Sequence, residues 1–104
     1  MAHKSARVAH PHRYEVPTRE ILATRLAALA TRDDAMSRSE SSAWAMEYLV
    51  YDDPQIYPKI LDSAVHDALV SLSGADTPTT DRPFLYGPDD FRAWRDRLLS
   101  APGL

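Results

Sequence analysis

Few residues in this chain are placed to do chemistry. Asp62 and His66 stand one helical turn apart, a spacing at which a carboxylate can hold an imidazole as an acid–base pair. Such a dyad needs a nucleophile or a third orienting group, and no motif supplies either, so a surface contact on an ordinary helix is the simpler reading. His3, His10 and His12 form a histidine-bearing tract of the kind that binds metal. Residues two apart on an extended chain share one side only if the chain is regular, prolines interrupt this stretch, and no carboxylate stands as a third ligand. Asp33-Asp34, Asp52-Asp53 and Asp89-Asp90 are carboxylate pairs, but each sits at a helix boundary, where capping explains it. Three scattered glycines make no phosphate-cradling loop, and there is no His-Glu-x-x-His pattern and no Gly-x-Ser-x-Gly elbow. The absence of cysteine excludes a disulfide scaffold and any cysteine-ligated zinc or iron–sulfur site. The chain is therefore read as a non-enzyme that uses no cofactor and no metal.

The densest chemistry is aromatic and acidic. Trp44, Tyr48 and Tyr51 recur at i, i+4 and i+7 and run out into Asp52-Asp53-Pro54, with Tyr57 beyond. Trp44 is read as core. Glu47, Tyr51, Asp52, Asp53 and Tyr57 form the predicted partner-binding face, because rigid aromatics rimmed by carboxylates suit a basic protein. The net charge is −3. Residues 1–16 carry Lys4, Arg7 and Arg13 against Glu15, whereas the remainder carries nine basic and fourteen acidic residues. An acidic body argues against broad phosphate-backbone binding. Arg92 with Arg95, and Arg13 with Arg19, are the arginine-bearing surfaces that could touch phosphate, and acids stand beside both. A helix-turn-helix needs a short turn into a basic recognition helix. The third predicted helix has Lys59 as its only cation, and the last follows a long loop.

The elements that must position these residues are helices. At 104 residues, 44% of them hydrophobic, the chain is one small domain with a packed core. Residues 1–16 hold few large apolar side chains and read as a flexible basic arm, leaving 17–104 as the domain. A first helix starts at Thr18 and carries Leu22, Leu26 and Leu29 as a core stripe. Thr31 to Met36 is a connection. Ser37-Arg38-Ser39-Glu40 reads as a capping box that opens a second helix running to about Tyr51. Its apolar residues extend around much of the circumference, which predicts a central position. Pro58 is predicted to open a third helix ending at Gly74, with a stripe through Ile60 or Leu61, Ala64 or Val65, Ala68 or Leu69, and Leu72. Ala75 to Pro83 is a loop, and Phe84-Leu85-Tyr86 is a short extended segment docked on the helices. Gly87-Pro88-Asp89-Asp90 starts a last helix whose inner face is Phe91, Trp94 and Leu98. No run approaches the length of a membrane span, and no apolar core follows the basic start, so the expected location is the cytoplasm.

Two stretches, Ser37-Arg38-Ser39-Glu40 with Ala43-Trp44-Ala45, and Leu85-Tyr86-Gly87-Pro88-Asp89-Asp90-Phe91 with Trp94, resemble small bacterial proteins of unassigned function. Some of these are similar to immunity proteins, the antidotes encoded beside secreted toxins. The resemblance implies a non-enzymatic protein that neutralises a basic toxin by direct binding. Two alternatives stand beside it: a homo-oligomeric structural or regulatory protein whose aromatic stripe is a self-interface, and a small DNA-binding regulator. The expected architecture is an all-α, compact four-helix domain.

Overall fold

Four amphipathic segments become four α-helices: α1 (Arg19–Thr31), α2 (Ala35–Val50), α3 (Ser63–Ser73) and α4 (Pro88–Ser100). The computed structural model describes residues 16–32, 34–50 and 59–103, and no strand occurs among them. The expected all-α four-helix domain is therefore what the chain forms. The predicted arm lies outside the described residues up to position 15.

α1 begins where its cap signal places it. The Thr18 side-chain oxygen accepts from the Ile21 N–H at 3.1 Å, satisfying a donor that the first turn leaves unpaired. The leucine stripe then follows the helical period inward, and Leu22, Leu26 and Leu29 are all buried. α1 packs chiefly on α4, and α2 on α3. Phe91, Leu22, Leu26, Leu69 and Leu72 are the largest fully buried side chains, so all the helices but α2 supply the bulk of the core.

α2 departs from expectation in its start and in its inner face. It opens at Ala35, not Ser37, and its cap is Asp34, whose Oδ1 accepts from the Ser37 N–H at 2.8 Å. The Arg38 N–H closes the first turn on the Asp34 carbonyl at 3.1 Å. Asp34 is as good a capping residue as Ser37, and starting there places two further residues in the helix. The connection from α1 shrinks to residues 32–34. The buried face of α2 is Arg38, Ser41, Ser42 and Ala45, a run of small residues headed by a cation. That face lets α2 lie close to α3, where the Ser42 hydroxyl donates to the Ser73 carbonyl at 2.6 Å. Trp44 and Tyr48, in edge-to-face contact with centroids 5.4 Å apart, are half-buried against the core instead of forming its centre.

α3 also starts later than predicted. Residues 59–62 are not helical, and the cap is Asp62, whose Oδ1 accepts from the Ala64 N–H at 3.0 Å. Pro58 lies outside the described residues. Of the expected stripe, Val65, Ala68, Leu69 and Leu72 are buried, whereas Ile60 and Ala64 are half-buried and Leu61 is exposed. α4 opens at Gly87-Pro88 as the sequence indicates, with the Gly87 N–H donating to Asp90 Oδ2 at 2.8 Å. The segment before it docks on the helices with a bend at Leu85: Leu85 N–H donates to the Thr77 carbonyl at 2.8 Å, and the Tyr86 ring sits edge-on to Trp94 at 4.9 Å.

Candidate nucleic-acid interface

Which cations can meet a phosphate depends on which are already engaged by the fold. Arg19 is engaged. Its guanidinium donates to both Asp62 carboxylate oxygens at 2.8 and 3.1 Å, and to the carbonyls of Ala101 at 2.7 Å and Pro102 at 2.6 Å. This pins the C-terminal end of α4 to the start of α3. Hydrogen bonding to Asp62 raises the Arg19 pKa. The same contact, with lesser help from the Ala64 N–H, lowers that of Asp62.

Arg38 is engaged too, and is only 2% exposed. It donates to the carbonyls of Ala75 at 2.9 Å and Tyr86 at 2.7 Å, and its guanidinium carbon lies 4.2 Å from the centroid of Phe84 and 4.9 Å from that of Phe91. Arg25 lies 4.2 Å over the Trp44 ring and donates to the Ser41 hydroxyl at 3.3 Å. Arg82 donates to the Leu85 carbonyl.

Three arginines stand on α4, while Arg32 and Lys59 are exposed elsewhere. Arg92 and Arg95 are one turn apart on its outward face, and exposed Leu99 continues that face. Arg92 pairs with Asp89 at 2.6 Å and Arg95 with Asp96 at 3.1 Å. Both acids are well exposed, so the pairs are worth little and an incoming phosphate can compete for each arginine. Arg97, on the flank, makes no ion pair among the described residues. It borders a 250 Å³ cleft with Asp62, Asp67 and Trp94.

Several acids of the chain serve as helix caps. Asp34, Asp62 and Asp90 each accept from a backbone N–H at a helix start. The Ser37 N–H, foremost, holds the Asp34 carboxyl below its ordinary range. α4 itself carries Asp89, Asp90 and Asp96 beside Arg92, Arg95 and Arg97, so an anion reaches Arg92 and Arg95 only by displacing their exposed acids. A larger groove of 610 Å³ lies between α1 and α2. It is lined by Ile21, Ala28 and Leu29 together with Glu20, Arg25, Arg32 and Glu40, a mixed-sign wall that does not complement an anion.

Of the predicted partner face, Glu47 is half-buried on α2, and Tyr51, Asp52, Asp53 and Tyr57 lie outside the described residues. The Asp62–His66 pair does not form. Asp62 turns to Arg19, and the nearest acid to His66 is Asp67 at 3.9 Å. Of the second proposed phosphate surface, Arg13 lies outside the described residues and Arg19 is half-buried and engaged by Asp62 and two carbonyls. The sequence reading missed Arg38, seen there only as part of a cap signal. Its clue is the spacing Arg38, Ser41, Ser42, Ala45, which puts it at the head of the small-residue face of α2.

Among known proteins, the chain is 36% identical over 58 residues to an uncharacterized protein, YxzC, of Bacillus subtilis (strain 168). That match covers 56% of this chain, and the chain spans 44% of the relative's length. No solved structure matches. A family model described as "YxzC DNA-binding protein" matches residues 18–98. This description overturns two expectations drawn from the sequence, the toxin-neutralising function and the argument against nucleic acid. Those expectations took the acidic balance of the whole chain as a guide to its partner, whereas the arginines of α4 stand at the surface with only exposed acids beside them. The match extends from the cap of α1 almost to the end of α4, and the chain belongs to the YxzC family.

Proposed function

We propose that this protein is a small, non-catalytic DNA-binding regulator of the cytoplasm, and that it sets the outward face of α4 against the phosphate backbone. The observation that carries the reading is the concentration of Arg92, Arg95 and Arg97 on one helix, in a chain whose family is described as DNA-binding. Arginine suits the task because its planar fork can grip a phosphate with two donors. α4 is held at both ends, by Arg19 on the carbonyls of Ala101 and Pro102 and by Arg38 on that of Tyr86, so its arginines are presented from a fixed element. No helix among the described residues is long and apolar enough to cross a membrane.

Binding of this kind is electrostatic and depends steeply on salt. Three phosphate contacts correspond to a slope of about −2.7 in log affinity against log salt, at about 0.9 per contact. Fluorescence anisotropy with a short labelled duplex, titrated at several salt concentrations, measures it. Replacing Arg92 and Arg95 together by alanine is expected to weaken binding and to flatten the slope by about 1.8. An unchanged affinity and slope in that variant would remove α4 from the interface.

A further inference from the structure

The segment that delivers the chain into α4 has little regular structure of its own. Residues 74–87 contain no helix or strand; beyond the turn that ends α3 and the Gly87 carbonyl that starts α4, their backbone hydrogen bonds are Thr77 N–H to Gly74 and Leu85 N–H to Thr77. Ala75 is buried in the core and Tyr86 packs on Trp94, but one side chain from another helix joins the two ends of the segment. Arg38, on α2, reaches both of its ends. One nitrogen donates to the Ala75 carbonyl, just after α3, and to the Tyr86 carbonyl, just before α4. The guanidinium plane also lies over the Phe84 ring of the segment and over the Phe91 ring of α4. Arg38 is thus in contact with the exit of α3, the end of the segment and the first turns of α4 at once.

We propose that Arg38 is a positioning residue for the DNA-binding face: by clamping residues 75–86 it fixes the start, and so the aim, of α4. The proposal rests on the DNA-binding reading for its consequence but not for its mechanism. Arg92 stands one residue after Phe91, and Arg95 one residue after Trp94, whose ring is edge-on to both Tyr86 and Phe91. Loss of the clamp frees Tyr86 and Phe91 together, and the arginines that follow them lose their common direction. Arg97 and the C-terminal end, tied down by Arg19, are less affected.

A lysine at this position keeps the charge and a donor but has no plane to lay on two rings. Arg38→Lys therefore separates charge from geometry. The test is hydrogen exchange on the full chain, read by mass spectrometry, for the wild type, Arg38→Lys, Phe84→Ala and a core control, Leu26→Val. Phe84→Ala removes one ring and leaves Arg38 in place, so it serves if Arg38→Lys does not fold. The expected result is exchange about tenfold faster at Leu85, Asp90 and Phe91 in both clamp variants, with α3 amides changed no more than in the control. Duplex affinity is expected to fall about threefold in the clamp variants and not in Leu26→Val. Exchange that rises evenly over all four helices, as in the control, overturns the clamp. Local loosening with unchanged duplex affinity overturns its role in positioning. A wild type that binds no duplex refutes the DNA-binding reading and with it that role, while the exchange pattern still decides whether the clamp exists.

Discussion

Arg19 and Arg38 differ from Arg92 and Arg95 in nothing that the sequence displays. The fold separates them by giving the first pair carbonyls and a carboxylate from distant residues and the second pair only exposed acids of their own helix. The partner of Arg19, Asp62, lies 43 residues away, too far for any local spacing rule to link them. The same distance explains why Asp62 was matched with His66, its neighbour on the helix, instead of Arg19. One consequence can be read as a pH dependence. The Asp62 carboxyl sits below its ordinary value because it accepts from Arg19, so the folded pKa is lower than the unfolded one, about 3.9. The stability it confers is present above that value and is lost as pH falls through the folded pKa. Asp62→Asn keeps a good capping residue and removes the charge. Thermal unfolding from about pH 7 down to about pH 2 is expected to show the variant melting lower than the wild type at neutral pH, with the two curves converging in acid. A constant gap across that range would mean that the Arg19–Asp62 pair does not set the difference.

At the scale of elements, helix existence was legible and helix boundaries were partly so. Thr18 and Gly87-Pro88 mark their helices because each is the only good start signal nearby. Before α2 two signals compete, Asp34 and the Ser37–Glu40 box, and the earlier one prevails, since the Ser37 N–H that the box would keep goes to Asp34 instead. Before α3 the competition is between Pro58 and Asp62, and Asp62 is fixed in place by Arg19, a tertiary contact that overrides a local preference. The correction for α2 has a direct check. Asp34→Ala removes the cap and is expected to lower the melting temperature by several degrees, whereas Ser37→Ala, which touches a residue already inside the helix, should leave it nearly unchanged. The reverse order would restore the start at Ser37. The central position expected for α2 was misjudged because apolar circumference was counted without size. The face that packs most closely is serine and alanine, and the large aromatics lie at its edge.

For the whole molecule, charge was the misleading guide. A net −3 describes how the protein migrates in a field but not what a phosphate meets at 4 Å, where only the nearest charges count. With Arg19 and Arg38 committed to the fold, Arg92, Arg95 and Arg97 are the arginines that α4 keeps at its surface, held only by exposed acids where they pair at all. The sequence could name Arg92 and Arg95 as phosphate candidates, but it could not show which acids were occupied or which arginines were spent. The measurement that bears most directly on this account is amide chemical-shift mapping of the isotope-labelled protein titrated with a short DNA duplex at low salt. The expected result is perturbation concentrated at residues 89–99, reversed by added salt. Perturbation centred on the groove between α1 and α2, or none at all, would contradict it.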